Sequence, residues 1–339
     1  MSQACLHGSF RSLLQSLRRQ ALLLPLCCAL AVLGACGQPE VGGDALGTFT
    51  SDAAGFDTHS YYYDTGREVV VFDAQFTEEL AQSLIAEIRS HTKSPIRYVV
   101  ITHPNPDKFN GAVAFQAIGA QVVASQATAQ AIAGVYAYKK YYFINVAKRF
   151  TEATYPPQAR IDQTFQGRWE LPLEGAARVI LSELVHPGVS TTQTVAQVPA
   201  IGALIVGDLV HANAHAWLEG GIRDGKPHPD LAAWKLALGE LAALPGATDD
   251  TVVYGGRGDR TSLANAVPAQ MTYLTAMETL VSGYVRDLGS RRSELTDPTL
   301  APAHYKQLAT LGSQAFPSYA LPYLIEYGVY GLVNSIAFP

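Results

Sequence analysis

A chain of 339 residues that is 48% hydrophobic and 16% charged can bury a sizeable core, as one large or two small domains, and this excludes an intrinsically disordered protein. Its formal charge of −5 excludes a protein that works by neutralising nucleic-acid phosphates or by attracting anionic lipid. In chain order the first element is a targeting segment. Arg11, Arg18 and Arg19 precede an apolar run over residues 21–33 that is too short for a comfortable membrane span. Residues 1–35 are therefore read as a signal peptide and kept out of fold reasoning, and losing their three arginines takes the charge from −5 to −8. Cys5, Cys27, Cys28 and Cys36 all lie in or at the end of this segment, so disulfides and cysteine ligation are excluded from the body of the protein.

Leu33-Gly34-Ala35-Cys36 resembles the lipobox of bacterial lipoproteins. That resemblance implies diacylglycerol on the Cys36 thiol, attachment to a membrane through acyl chains, and a place in the bacterial cell envelope, on the periplasmic side or at the outer membrane. Residues 36–55, rich in Gly, Asp and small side chains, read as a flexible tether.

The β-rich runs 60–64 and 68–73 follow, joined through Thr65-Gly66-Arg67 as in a hairpin. Over residues 77–90 the spacing of Leu80, Leu84, Ile85 and Ile88 predicts a helix, with Thr77 as its N-cap. Residues 96–101 are the next strand, 113–118 a helix, 119–124 a strand and 125–132 a helix. Residues 136–143 place five aromatics and two lysines in eight positions, which suits a helix lying on the sheet with its lysines snorkelling outward; a pocket wall or a membrane-facing surface has the same composition. Strands are expected within 162–173, 176–184, 195–199, 203–208 and 251–254, a helix over 230–244, and helices again over 271–288 and 304–311. Two strand sets alternating with helices imply a layered α/β protein.

The stretch that organises the chain is Val99-Val100-Ile101-Thr102-His103-Pro104-Asn105-Pro106-Asp107-Lys108-Phe109-Asn110-Gly111, a strand that ends in a loop carrying imidazole, amide, carboxylate and ammonium groups. It resembles the Thr-His-x-His-x-Asp-His-x-x-Gly signature of the metallo-β-lactamase superfamily, with Asn105 and Lys108 where two histidines would stand. Three further loops match in order. His186-Pro187-Gly188-Val189-Ser190-Thr191-Thr192 takes the place of a histidine-bearing turn, with Val189 or Thr191 in the ligand slot. Val206-Gly207-Asp208-Leu209 takes that of the metal-bridging aspartate, and Gly256-Arg257-Gly258 that of a terminal Gly-His-Gly. The resemblance implies an αββα four-layer sandwich over residues 56–261 with a helical C-terminal extension over 262–339.

It also implies a site stripped of every imidazole but one. His103, Asp107 and Asp208 are the metal-site residues kept, and a single zinc, iron or manganese ion would have only these three. Lys108 and Arg257 instead put cations where imidazoles would be, so two carboxylates can be balanced without metal and no cofactor is expected. Asp107, Lys108 and Arg257 are the candidate functional side chains. The expected function is that of a metal-depleted hydrolase homologue with a structural or ligand-binding role, the ligand being small and polar or anionic. The alternative is a working hydrolase of ester, lactam, thioester or phosphate bonds. His211 and His215, four apart, would share a face if helical, and His186 near Ser190 to Thr192 invites a triad although no nucleophile elbow is present. His228 between two prolines reads as an exposed loop residue.

Overall fold

The computed structural model describes residues 46–339; the expected signal peptide, Cys36 and the start of the expected tether lie outside the described residues. The folded body begins earlier than composition suggests. Leu46–Thr50 forms β1, an edge strand paired antiparallel with His59–Asp64 (β2), from Leu46 opposite Tyr63 to Thr50 opposite His59. Residues 46–55 are therefore part of the fold and not of a tether, because Phe49 packs against the apolar layer that includes Leu84, Ile85 and Ile88 and the Asp52 carboxylate caps the turn at 53–55.

The first sheet runs in the order β1, β2, β3 (Val69–Phe72), β4 (Ile96–Val100), β5 (Gln121–Ser125), β6 (Gln163–Phe165). Its centre is parallel. Such strands are buried on both faces, which is why residues 69–72 and 98–101 are unbroken apolar runs. The crossover helices α1 (Glu78–His91), α2 (Pro106–Phe109), α3 (Ala112–Ala117) and α4 (Gln126–Tyr141) return the chain between these strands. Thr77 caps α1 by accepting from the Leu80 N–H, as its position predicts.

The second sheet has the order β14 (Thr261–Ser262), β13 (Val252–Gly258), β10 (Ala203–Ala212), β9 (Thr194–Val198), β8 (Ile180–Glu183), β7 (Arg168–Glu170). A separate hairpin, β11 (Gly221–Arg223) and β12 (Lys226–His228), precedes α5 (Leu231–Ala242). The helices α6 (Leu263–Leu288), α7 (Ala301–Ala315), α8 (Tyr323–Gly328) and α9 (Tyr330–Ala337) make up the C-terminal region.

Three apolar layers hold these elements. Tyr61, Phe72, Val100, Leu181, Val198 and Ile205 interdigitate between the sheets. Val71, Val99 and Val122 face Leu84, Ile88, Phe115 and Ile132 on the outer side of the first sheet. Leu204, Val206 and Val253 face Trp234, Leu238, Leu274 and Met277 on the outer side of the second. The result is the α/β/β/α arrangement expected from the motifs, with the C-terminal helices covering the second sheet. Among the described residues no helix is long and apolar enough to cross a membrane.

Candidate functional site

The loops that leave the strands at one edge of the sandwich deliver their polar side chains to one buried point. The loop after β4 brings His103 and, through the N-terminal turn of α2, Asp107 and Lys108; β10 carries Asp208; β13 carries Arg257. Lys108 is fully buried, Asp208 and Arg257 are 1% and 3% exposed, and Asp107 is 6% exposed.

Lys108 Nζ stands 2.9 Å from Asp107 Oδ2 and 2.9 Å from Asp208 Oδ1, bridging the two carboxylates. Arg257 closes the other side: Nη1 donates to Asp208 Oδ2 at 2.6 Å and Nη2 to Asp107 Oδ2 at 3.0 Å. The remaining donors of the guanidinium reach the Phe56 carbonyl at 2.7 Å and Thr58 Oγ1 at 2.9 Å, so this cation is held from three directions. Buried charges are stable only when paired and hydrogen-bonded in this way.

The charge states follow. Burial pushes the Asp107 carboxyl up, but Lys108 and Arg257 beside it outweigh this and bring it down to about 2. Burial likewise raises Asp208, yet Arg257 and Lys108 hold it well below the usual carboxylate range. For Lys108 burial favours the neutral amine; Asp107 and Asp208 reverse that and raise it.

Gly256 shows how tightly the cluster is enclosed, since a Cβ there would lie 1.8 Å from Asp208 Oδ1. Gly207, at φ +52°, serves the same end beneath Asp208: a Cβ would meet Thr102 Oγ1 at 2.4 Å.

His103 sits under the cluster. Asp73, at the end of β3, accepts from both the backbone N–H and the hydroxyl of Thr102, each at 2.9 Å. His103 Nδ1 lies 3.0 Å from that hydroxyl, which leaves Nε2 facing Asp208 Oδ2 at 3.6 Å. Burial pushes the Asp73 carboxyl up to about 6, against the opposing pull of Lys108.

A second buried ion pair forms the wall. Lys139 of α4 pairs with Glu219, which also accepts from Trp217 Nε1 at 2.8 Å and from the Tyr330 hydroxyl of α9. This corrects the expectation of a snorkelling lysine: Lys139 is 4% exposed, turned inward because Glu219 and the Trp217 ring receive its ammonium. Lys139 and Phe143 instead line, with Phe56, Phe76, Asp107 and Arg257 among others, a cavity of about 30 Å³ over the cluster. The aromatic stretch thus supplies a pocket wall, the first of the two readings set beside the snorkelling helix.

The other histidines are elsewhere. His186 is engaged with Glu240 of α5, so no triad forms with Ser190, Thr191 or Thr192. His211 lies on β10 and His215 on the loop beyond it, where Nδ1 is 3.2 Å from the Tyr273 hydroxyl; the two share no helix face. Val189 is buried in the core and Thr191 lines neither the cluster nor its cavity. His228 is exposed on β12. Among the described residues no group of three or more His, Cys, Asp and Glu side chains is disposed to hold a metal ion.

Sequence reasoning placed His103, Asp107, Lys108, Asp208 and Arg257 around one point, and the fold brings all five together. It missed Thr58, the Phe56 carbonyl, the Asp73–Thr102–His103 chain and the Lys139–Glu219–Tyr330 wall. Only Asp73, at the end of a β run, carried a local signal.

Residues 53–256 match the family described as the metallo-beta-lactamase superfamily. Among solved structures, a metallo-beta-lactamase from Pontibacter korlensis is 23% identical, with a TM-score of 0.50 over 67% of this chain and 93% of that one. The metallo-beta-lactamase FIM-1 from Pseudomonas aeruginosa, in its mono-zinc form, is 18% identical, with a TM-score of 0.48 over 67% and 88%. No curated protein matches.

Proposed function

This chain belongs to the metallo-beta-lactamase superfamily, and on that premise we propose that it is a metal-depleted member whose hydrolytic site has become an ion-paired structural core, carried on an envelope lipoprotein anchored through Cys36. The observation that carries the reading is Lys108 Nζ standing 2.9 Å from both carboxylates that would otherwise be metal ligands. Metal-assisted hydrolysis needs neutral imidazoles and carboxylates around an ion that keeps one position open for water. Here the corresponding positions hold Asn105, Lys108 and Arg257, and the two cations already neutralise Asp107 and Asp208.

The residues present do not fit a divalent ion. At ~4 Å and an effective dielectric of ~20, each unit charge repels another by ~4 kcal/mol, twice that for a dication, and two such cations are fixed at this point. The cavity above them, about 30 Å³, is far below the ~300–1,000 Å³ of a small-molecule site. Both cations are consumed by carboxylates, which favours a structural role over capture of an anionic ligand; a small polar group is the most the cavity would take.

The test is metal analysis of the purified full-length protein after dialysis, with an ester, lactam, thioester and phosphate substrate screen in added zinc, iron and manganese. The expected result is no stoichiometric metal and no chelator-sensitive turnover. Stoichiometric metal together with turnover lost in Asp208→Ala would overturn the proposal in favour of a one-metal site on His103, Asp107 and Asp208. Restoring histidine at Asn105, Lys108 and Arg257 together is expected to create metal binding that the native chain lacks.

A further inference from the structure

The helices α5 and α6 lie side by side over the second sheet, and their outward faces carry almost no free charge. From Leu263 to Val285, Glu278 is the single charged residue of α6. On α5, Lys235 and Glu240 are both spent within the chain: Lys235 Nζ donates to Glu278 Oε2 at 2.8 Å, and Glu240 holds His186. What α5 leaves in solvent is Ala232, Leu236 and Gly239, which share one helix face, with Leu236 55% exposed. A Cβ at Gly239 would meet nothing, so the backbone there is open to close approach. On α6 the exposed Thr272, Thr275 and Thr279 donate their hydroxyls to the Pro268, Met271 and Thr275 carbonyls at 2.8, 2.9 and 2.9 Å, so these donors ask for no outside partner. With Met271, Ala276 and Leu280 they line an open groove of about 650 Å³ that ends against Ala315 of α7.

We propose that this face is the contact between two copies of the chain, packed about a two-fold axis. Area, charge and shape each select that occupant. The exposed length of α6 from Ala264 to Ser282 is ~28 Å and α5 is ~18 Å long, each helix being ~11 Å wide, so the face is ~500 Å² in projection. Two such faces cover ~1,000 Å², and more once side-chain relief is counted, which reaches the size of a specific but reversible interface. Beyond residue 35 the chain carries a charge of −8, so two copies repel each other on most approaches. Here the charges are Lys235 and Glu278, already paired, and the same neutrality removes the attraction that an anionic lipid surface or a strongly charged partner would need.

The shape is self-complementary. Glu278 turns toward α5, whereas Ala276 and Leu280, roughly half a turn away around α6, lie on the side of Ala315. The Lys235–Glu278 bond sets the neighbouring Leu236 level with the groove at Thr275 and Thr279. A two-fold axis running parallel to α6 therefore brings Leu236 of each copy over the groove of the other.

The test is sedimentation equilibrium of the purified full-length protein in density-matched detergent with a reductant present, which keeps the apolar segment at residues 21–33 solvated and its cysteines unpaired. A reversible dimer is expected, with a Kd on the order of 10 µM. Leu236→Glu and, separately, Thr275→Glu change exposed positions and set like charges against the partner in both halves of a two-fold contact. Each is expected to weaken the dimer at least about 100-fold, leaving mostly monomer at ~100 µM, with the circular dichroism spectrum and melting temperature retained. Ile118→Glu, at the end of α3 on the opposite outer layer, makes the same kind of change off the face and is expected to leave the dimer intact. A native chain that stays monomeric at ~100 µM would overturn the proposal and leave the face to another protein. A dimer retained in either face variant, as association through the N-terminal segment or a shared micelle would give, overturns it too, as does equal dissociation by Ile118→Glu. No outcome bears on the metal-depleted reading, because neither helix contributes a side chain to the cluster.

Discussion

Lys108→Met removes an ammonium but keeps most of the stem volume, and so isolates the charge of the bridging side chain. Lys108 Nζ is 2.9 Å from one oxygen of Asp107 and 2.9 Å from one of Asp208, with all three groups buried. At an effective dielectric of ~20 each contact is worth ~6 kcal/mol, offset by the several kcal/mol needed to desolvate the ammonium. Breaking a buried pair by deleting one partner leaves the other charge uncompensated, with a net cost of about 3–5 kcal/mol. For a domain of this size, 1 kcal/mol moves the melting temperature by ~2–4 °C, so a fall of about 10 °C is expected in a thermal melt. Adding Asp107→Asn to Lys108→Met removes one charge of each sign and leaves Asp208 with Arg257. The double variant is therefore expected to melt above the Lys108→Met single variant, with a coupling of about 2 kcal/mol or more. A single variant within about 2 °C of the native protein would refute the reasoning, as would a double variant whose loss equals the sum of the two singles.

Acid should destabilise the fold through its buried histidines. His211 and His215 are lowered to about 3 and about 4, mainly by burial, so between those values and 6.5 the unfolded chain binds more protons. Their contribution is full above pH 6.5 and declines as pH falls. Asp73, raised to about 6, opposes this between pH 6 and 3.8, while Asp107 loses its contribution only as pH falls from 3.8 through about 2. Denaturant melts from pH 7 to pH 4 are expected to show falling stability, with a flatter slope in a His211→Gln, His215→Gln variant; an unchanged slope would count against the assignment. Tyr330→Phe removes the α9 hydroxyl from Glu219 and is expected to cost ~1.5–3 kcal/mol, with faster amide exchange in α9. Protection equal to the native protein's would exclude Glu219 as the anchor of that helix. Gly256→Ala forces a Cβ to within 1.8 Å of Asp208 Oδ1 and is expected to destabilise by at least ~1–3 kcal/mol, whereas Gly134→Ala, in open space within α4, is expected to stabilise by ~0.5–1 kcal/mol. A melting temperature unchanged in Gly256→Ala would mean that the cluster is looser than its geometry.

The layered architecture was legible because each of its parts is a local pattern. Apolar runs at 69–72 and 98–101 have the continuity of strands covered on both faces, and residues 77–90 have helical spacing that starts from a capping threonine. The order of four loop motifs then fixed which strand ends share an edge. Residues 46–50 were misread because Gly47 and the flanking small residues have the composition of a tether, although β1 finds its partner in β2. Lys139 was misread for a similar reason: nothing near it in sequence announces Glu219, eighty positions away.

His103, Asp107, Lys108, Asp208 and Arg257 could be named as one group from the sequence, down to the pairing of cations with carboxylates. What only the tertiary structure decided is how that pairing is closed: Lys108 astride both carboxylates, Arg257 tied to the Phe56 carbonyl and Thr58, and an aromatic wall drawn in by Glu219. The physical reason is range. Hydropathy periods, caps and turns are set by neighbours in sequence, whereas the energy of a buried charge depends on every group within a few ångströms, and those groups come from segments as far apart as residues 56 and 257.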